Sequence, residues 1–207
     1  MYLDQPLQHY LDDLASAQPT PGGGSAAALS GALGAALASM VARLTLGKVE
    51  YASVQQEMEK LLQHTEALRE YFQQLIQADI DAYAQLSAAF KLPRTTDEER
   101  AIRITTIQAR LAAAALVPLE VAERAVQLME GCQRIAEIGN THVLSDIGMA
   151  TTLASSAATG AAWMVRVNLQ SMKNPGLVSA LSERLSSAQE HIAACTQRIT
   201  TILKERM

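Results

Sequence analysis

Three consecutive glycines, placed between two prolines and a long uncharged segment, constrain this chain more than any other feature. The stretch reads Pro19-Thr20-Pro21-Gly22-Gly23-Gly24-Ser25, and no charged residue follows between Ala26 and Ala42. The prolines disfavour a helix that enters from the N-terminal side. The glycines allow another group to come close to bare backbone amides. Ser25 is a candidate N-cap for the helix that follows.

A glycine-rich turn that opens a helix can serve as a binding site, because it offers free N–H groups and the positive end of the helix dipole. The alternative is that the glycines only form a tight turn, and the loop alone does not decide between the two. The uncharged helix after the loop favours a binding site, since a helix that is apolar on every face is buried or lies in a membrane. A buried helix holds such a loop rigidly.

A membrane span is the competing interpretation of residues 26–42. The uncharged segment is about long enough to be considered. It consists mainly of Ala, Gly and Ser, which are far less lipophilic than Leu or Phe. We therefore predict a buried helix of a protein that does not enter a membrane.

The composition predicts an all-α protein with one domain spanning residues 1–207. Hydrophobic residues make up 49% of the chain and aromatic residues only 4%, so the core consists mainly of small and aliphatic side chains. The net charge of −4 gives no reason to expect nucleic-acid binding. Two unpatterned cysteines and the lack of a secretory signal pattern predict a cytoplasmic location.

Hydrophobic periodicity predicts a multihelical bundle of six or seven helices, two of which are buried, small-residue central helices. The predicted helices cover about residues 3–17, 26–47, 53–90, 96–138, 143–171 and 178–207. The first is amphipathic, with an inward stripe of Leu3, Leu7, Tyr10, Leu11 and Leu14. The fourth begins with a capping box formed by Thr96 and Glu99.

Asp79 and Asp146 are the acidic residues that most need an explanation. Asp79 lies among Ala78, Ile80 and Ala82, and a lone acid in apolar surroundings is costly unless it is partnered or used. Asp146 begins the second central helix, where compensation of the helix dipole explains it equally well. The four histidines and two cysteines have no metal-ligand spacing, so no metal site is predicted.

Several stretches, in order along nearly the whole chain, resemble the formiminotetrahydrofolate cyclodeaminase and methenyltetrahydrofolate cyclohydrolase family. They are Pro19 to Ala28, Met40 to Lys48 with Tyr51, Asp79 with Tyr83, Lys91 to Pro93, Val117 to Ala122, Gly139-Asn140, Ser145-Asp146 and Val165 to Leu169. The resemblance implies a helical bundle that is usually dimeric. It also implies a tetrahydrofolate derivative as the substrate, with no metal.

The family's chemistry is the interconversion of folate one-carbon units. One branch closes 5-formimidoyltetrahydrofolate to 5,10-methenyltetrahydrofolate and releases ammonia; the other adds water to the methenyl bridge and gives 10-formyltetrahydrofolate. The motifs do not separate the two branches. The resemblance also implies a possible separate formiminotransferase as a partner, because 207 residues are too few to include one.

The resemblance implies a folate site that contains a carboxylate, since both reactions place positive charge on the one-carbon unit. Asp79 and Asp146 are the catalytic candidates, one to stabilise the cation and the other to move the proton, and the sequence does not assign the two roles. The candidate substrate-binding residues are Pro21, Gly22, Gly23, Gly24, Ser25, Lys48, Tyr51, Asn140, Arg166 and Asn168. Among them, Lys48 and Arg166 are expected to meet the folate carboxylates.

Two departures from the family pattern affect these expectations. Met164 and Val167 stand where the family usually has Asn and Ile, and Lys48-Val49-Glu50 replaces a stretch that is often richer in lysine. The second change predicts weaker binding of a polyglutamate tail. Two rival hypotheses remain: a non-catalytic helical scaffold, and a folate-binding protein without turnover.

Overall fold

The computed structural model describes residues 2–207, and this part of the chain forms six α-helices and no strand. The helices are α1 (Leu7–Leu14), α2 (Gly23–Thr45), α3 (Gln55–Phe90), α4 (Asp97–Ile138), α5 (Leu144–Gln170) and α6 (Pro175–Arg206). Short 3-10 helices cover Tyr2–Asp4, Val49–Val54 and Thr141–Val143. The predicted all-α bundle is confirmed.

The two small-residue helices, α2 and α5, lie at the centre of the bundle. α2 packs against α3, α4 and α5, and α5 also packs against α4 and α6. The two central helices are antiparallel, because Gly23 faces Met164 at one end and Gly34 packs against Ala150 further along. Their alanines are mostly inaccessible to solvent, as predicted from the lack of charge.

By length and composition alone, both α2 and α4 are apolar enough to cross a membrane. In α2, 61% of the most apolar window is buried inside the protein. The buried residues of α2 therefore have their apolar neighbours within the bundle, and the helix is used as a core element.

The prediction for the first helix was wrong in length and in orientation. A 3-10 turn and the eight-residue α1 replace the predicted helix over residues 3–17, and Pro6 stands between them. Proline lacks an N–H and disfavours helical geometry in the residue before it, which explains the break. Leu7 and Leu11 are 63% and 50% exposed, and Tyr10 is the buried residue of α1.

The start of α2 also differs from its prediction. The helix begins at Gly23 with Gly22 as its N-cap, so Ser25 is the third helical residue and not the N-cap. Ser25 still satisfies the helix end, because its Oγ accepts the Gly22 N–H at 3.1 Å. The predicted capping box of α4 is confirmed, with Thr96 Oγ1 accepting the Glu99 N–H and Glu99 Oε2 accepting the Thr96 N–H, each at 3.1 Å.

Gly34 tests how tightly the central helices pack. A Cβ at this position would lie 3.0 Å from the Ala150 carbonyl oxygen and 3.3 Å from Leu128 Cδ2. Gly34→Leu should therefore lower the free energy of unfolding by about 1–3 kcal/mol or more, measured by thermal and denaturant unfolding. In the control Gly148→Ala, the new Cβ would meet Leu203 Cδ1 at an ordinary 3.4 Å. An unchanged melting temperature for Gly34→Leu would contradict the central position of α2.

Candidate active site

A cavity of about 350 Å³ opens where the N-terminal end of α2 meets α3, α4 and the C-terminal end of α5. It is lined by Pro19, Thr20, Gly22, Gly23, Gly24, Asp79, Ala82, Tyr83, Leu86, Phe90, Leu111, Ala114, Met164, Val167, Asn168 and Ser171. Its volume suits a small organic ligand. Asp79 is the one charged residue among these lining residues, so the chemistry of the cavity centres on its carboxylate.

The first turn of α2 holds the Asp79 carboxylate in place. The backbone N–H of Ser25 donates to Asp79 Oδ2 at 2.9 Å. Gly24 lies directly against the same carboxylate, since a Cβ built on Gly24 would fall 2.1 Å from Asp79 Oδ1. Gly24 is therefore required for this approach, and the third glycine of the loop does more than form a turn.

Burial raises the pKa of the Asp79 carboxyl group above its usual value, and the Ser25 N–H partly opposes this shift by stabilising the anion. No arginine or lysine forms an ion pair with Asp79 within residues 2–207. A raised pKa brings a carboxyl group closer to the pH at which it can both accept and release a proton. A carboxylate without a cationic partner is also suited to stabilise positive charge on a ligand.

The start of α2 also offers backbone donors to a ligand. Among the described residues, the N–H groups of Gly23 and Gly24 have no hydrogen-bond partner, whereas those of Gly22 and Ser25 are bonded to Ser25 Oγ and Asp79. A helix N-terminus attracts anionic and carbonyl oxygens. The loop can thus bind such an oxygen beside the carboxylate.

Sequence reasoning missed the apolar walls of the cavity. Asp79, Tyr83, Leu86 and Phe90 all line it from α3, and their spacing of i, i+4, i+7 and i+11 places them on one helix face. This spacing is the sequence signal from which the α3 wall of the cavity could have been predicted. Phe90 is 49% exposed, so about half of its surface in the cavity wall is left uncovered by the protein.

Asn168 is the only other predicted binding residue outside the glycine loop that lines the cavity. Its Nδ2 donates to the carbonyl oxygens of Met164 and Ala114 at 2.9 and 3.2 Å. These bonds fix the side chain between α5 and α4. The side-chain oxygen of Asn168 makes no hydrogen bond within residues 2–207, so it is available to a ligand. Pro21 is buried behind the loop, after a cis peptide bond from Thr20.

Asp146 does not line this cavity, so a single chain does not bring the two catalytic candidates together. Asp146 and Met164 are eighteen residues apart on α5, which corresponds to about 27 Å along a helix. Asp79 is at the Met164 end. The sequence motifs could not reveal this separation, because they do not say which end of an antiparallel helix pair each motif occupies.

Three predicted binding residues, Lys48, Tyr51 and Asn140, also lie at the Asp146 end. Asn140 is buried and structural: its N–H donates to Thr45 Oγ1 and its Nδ2 to the Leu44 carbonyl oxygen, both at 3.0 Å. The Tyr51 hydroxyl accepts the N–H of Thr141 at 3.1 Å. These bonds join the end of α2 to the connection between α4 and α5. Lys48 is exposed.

Arg166 directly precedes the lining residues Val167 and Asn168 in the sequence, but its own side chain does not line the cavity. Its Nη2 donates to Gln189 Oε1 on α6 at 2.8 Å, and its guanidinium lies 5.5 Å from the centre of the Trp163 ring. Arg166 therefore turns away from Asp79 towards α6. Within residues 2–207, no cluster of three or more His, Cys, Asp or Glu side chains is placed to hold a metal ion.

Comparison with known proteins agrees with this architecture. The formiminotransferase-cyclodeaminase family profile matches residues 6–187. The methenyltetrahydrofolate cyclohydrolase of Methylorubrum extorquens is 36% identical over 204 residues, which cover 99% of this chain and 98% of that protein. The formimidoyltransferase-cyclodeaminase of Rattus norvegicus is 36% identical over 185 residues, covering 89% of this chain but 34% of that protein.

A solved structure extends the likeness to three dimensions. The formiminotetrahydrofolate cyclodeaminase of Thermotoga maritima superposes with a TM-score of 0.90 at 28% identity, covering 99% of this chain and 98% of that one. The fold and the site thus define an all-helical protein with a carboxylate-bearing ligand cavity between its central helices. The chain belongs to the formiminotransferase-cyclodeaminase family.

Proposed function

We propose that this chain is a folate one-carbon enzyme that forms or opens the methenyl bridge of tetrahydrofolate. The observation that carries the proposal is the match over nearly the full length to a methenyltetrahydrofolate cyclohydrolase, in a chain whose cavity contains a single acidic side chain. The full-length likeness to a cyclodeaminase structure supports the related reaction. Both reactions share the methenyl compound.

In the cyclodeaminase direction, N10 of 5-formimidoyltetrahydrofolate attacks the formimidoyl carbon, and a bond from N10 to this carbon forms. The bond from this carbon to the amino nitrogen then breaks. The proton lost from N10 and one proton from solvent are taken up by this nitrogen, which leaves as ammonia, and the 5,10-methenyl cation remains. In the cyclohydrolase direction, water adds to the methenyl carbon, one proton is released, and the bond from N5 to this carbon breaks to give the 10-formyl compound.

Asp79 is suited to both tasks that these reactions set. Its carboxylate stabilises the cationic one-carbon unit, because it faces an apolar cavity in which the attraction between opposite charges is weakly screened. Its raised pKa supports proton transfer to and from the nitrogen or the attacking water. The N–H groups of Gly23 and Gly24 bind a carbonyl or anionic oxygen of the folate, and Leu86 and Phe90 contact its rings.

Purified protein offered both folates, with methenyl absorbance followed over time, tests the proposed function. A rise with the 5-formimidoyl substrate identifies the cyclodeaminase, and accelerated decay of the methenyl substrate identifies the cyclohydrolase. Binding of folate without turnover would instead support a binding protein. No binding at all would support a structural scaffold.

We also propose that the protein is a homodimer formed through an exposed apolar face on α2 and α5. The face consists of Leu33, Met40 and Leu44 from α2 and Met149, Trp163 and Val167 from α5, which are 37–60% exposed. The hydroxyl group of Ser30 donates to the Leu153 carbonyl oxygen at 2.9 Å and joins the two helices beside this face. Apolar patches with no charged residue are typical of protein interfaces, and a second copy offers a matching surface.

Such a dimer would bring together candidate site residues that lie at opposite ends of a single chain. A two-fold axis that lies in the face and runs perpendicular to α2 and α5 would set the Asp79 end of each copy over the end of the other copy that carries Asp146, Lys48 and Tyr51. Mixing inactive Asp79→Asn and Asp146→Asn chains would then restore about a quarter of the wild-type activity, since half of the mixed dimers are hybrid and each has one intact site. No recovery on mixing would exclude a shared site.

Leu33→Lys should weaken the proposed dimer, because it places a charge in the middle of the α2–α5 face, where Leu33 is 51% exposed. We expect sedimentation to show a shift from dimer to the 22.2 kDa monomer at micromolar concentration, with helix content unchanged. The control is Ile102→Lys, which alters an equally exposed residue, 56%, on α4. A wild-type chain that sediments as a monomer would contradict the proposal.

A separate formimidoyltransferase would be the source of substrate if the cyclodeaminase branch operates. The chain spans about a third of the length of the rat and mouse formimidoyltransferase-cyclodeaminases that it matches, 34% in each case. A cytoplasmic location is also part of the proposal, and the free, buried thiols of Cys132 and Cys195 are consistent with a reducing compartment.

A further inference from the structure

We propose that Tyr10 of α1 is a positioning residue for Asp79, acting through the Ser25 hydroxyl group. This inference rests on the proposed function, because it assigns to a side chain outside the cavity a part in holding the carboxylate that serves the reaction. Tyr10 does not line the cavity, and α1 precedes the glycine loop. The inference follows from a chain of hydrogen bonds that links α1, α2 and α3.

The chain of hydrogen bonds begins at Tyr10. Its hydroxyl oxygen lies 3.2 Å from Ser25 Oγ, and both residues are buried, at 4% and 0% exposure. Ser25 Oγ also donates to the Gly22 carbonyl oxygen at 2.9 Å and accepts the Gly22 N–H at 3.1 Å. The backbone N–H of the same Ser25 then donates to Asp79 Oδ2 at 2.9 Å.

Counting protons gives the direction of the first bond. A serine hydroxyl group has one proton and two lone pairs. The Ser25 proton is used by the Gly22 carbonyl oxygen and one lone pair by the Gly22 N–H. The remaining lone pair accepts the Tyr10 O–H, so Tyr10 is the donor and the Ser25 hydroxyl group is fully satisfied. A fully bonded polar group in a buried site fixes the geometry of its neighbours.

The consequence is that Tyr10 sets the position of the first turn of α2. Ser25 is a residue of this turn, and its N–H is the donor that holds the Asp79 carboxylate. This N–H stabilises the ionised form of Asp79 and opposes the effect of burial on its pKa. If the turn loosens, the Ser25 N–H bond lengthens and the pKa of Asp79 rises further.

Few other groups near Asp79 could produce the same pH effect. Among residues 2–207, the titratable groups that face it are Tyr10 from α1 and Tyr83 on its own helix. The parts of α2, α4 and α5 that line the cavity with Asp79 contribute no charged side chain. Altered titration in a Tyr10 variant therefore reports on the hydrogen-bond chain and not on a new charge.

Tyr10→Phe is the test, because it removes only the hydroxyl group. We expect kcat to fall about three- to tenfold, as for loss of one buried hydrogen bond, with little change in KM. The acid limb of the pH–rate profile should move to higher pH. The matched control is Tyr2→Phe, which also removes one hydroxyl group from the N-terminal segment; that hydroxyl donates to Asp13 Oδ2 at 2.7 Å and not to Ser25.

A double-mutant cycle checks that Tyr10 acts through Ser25. In a Ser25→Ala background, Tyr10→Phe should have no further effect on kcat or on the pH profile. Additive effects, or an unchanged pH profile in the single variant, would overturn the inference. The carboxyl titration of Asp79, followed by carbon-13 NMR in wild-type, Tyr2→Phe and Tyr10→Phe proteins, decides the question even if neither folate is turned over, since it does not depend on the proposed function.

Discussion

Asp79→Asn is expected to lower turnover by about 10²–10⁴-fold, the usual effect of removing a positioned general acid or base, while the fold and most of the substrate affinity remain. An asparagine at this position has nearly the same shape, and its oxygen can still accept the Ser25 N–H. It cannot provide negative charge to the one-carbon cation or accept its proton. The assay is turnover of each folate, together with substrate affinity by titration.

The same variant should not be less stable at neutral pH. Burial raises the folded-state pKa of Asp79 above its unfolded value, so this group lowers the free energy of unfolding as the pH rises from the unfolded pKa to the folded pKa. Asp79→Asn removes this penalty, and its melting temperature at pH 7 should equal or exceed that of the wild type. The advantage should shrink below the ordinary pKa of a carboxyl group.

Asp81→Asn is the matched control, because Asp81 is an exposed acid two residues further along the same helix, hydrogen-bonded to Gln77. It should leave both turnover and stability nearly unchanged. Near-wild-type turnover by a well-folded Asp79→Asn protein would contradict the assignment of Asp79 and make Asp146 the acid to test. A large loss of stability would indicate a structural role instead.

Gly24→Ala should reduce turnover almost as much as loss of the carboxylate, by about 10²-fold or more. The new Cβ would fall 2.1 Å from Asp79 Oδ1 and 2.5 Å from Asp79 Cγ, so the carboxylate must move. Moving it breaks the bond from the Ser25 N–H and takes the charge away from the folate. Turnover and the melting temperature are the measurements.

A second substitution separates this displacement from general damage to the loop. In an Asp79→Ala background, the carboxyl atoms that the new Cβ would meet are absent, so Gly24→Ala should no longer lower stability. The control is Gly160→Ala on α5, where the new Cβ would meet Ala27 Cβ of α2 at an ordinary 3.5 Å. Wild-type turnover by Gly24→Ala would mean that the glycines serve only the turn.

The central helices could be predicted from the sequence because a long helix without charged residues is buried, either in a protein core or in a membrane. The capping box of α4 was equally accessible, since it depends on two residues three apart. The cavity was less predictable, because four helices line it and their mutual orientation is a tertiary property. Only the face of α3 that carries Asp79 and Phe90 could have been predicted, from the helical spacing of its residues.

The failures have physical causes of the same kind. Asp79 and Asp146 were both candidates because both stand out among apolar residues, and the sequence did not show that the antiparallel α2 and α5 place the two acids at opposite ends of one chain. Tyr10 was assigned to a packing stripe, although its hydroxyl group contacts Ser25. Periodicity records which residues are buried but not which polar atom each buried residue meets.

The use of alanine and glycine along the contact between α2 and α5 affects the entropy of the site. These residues lose no rotamer freedom when they are buried, so the contact of Ala27 with Gly160 has few alternative side-chain arrangements. A core of leucine or methionine can absorb a small displacement by changing rotamers, but a contact between backbones cannot. The geometry around Asp79 is therefore set by the main chain, and the cavity should keep its shape whether or not a folate is bound.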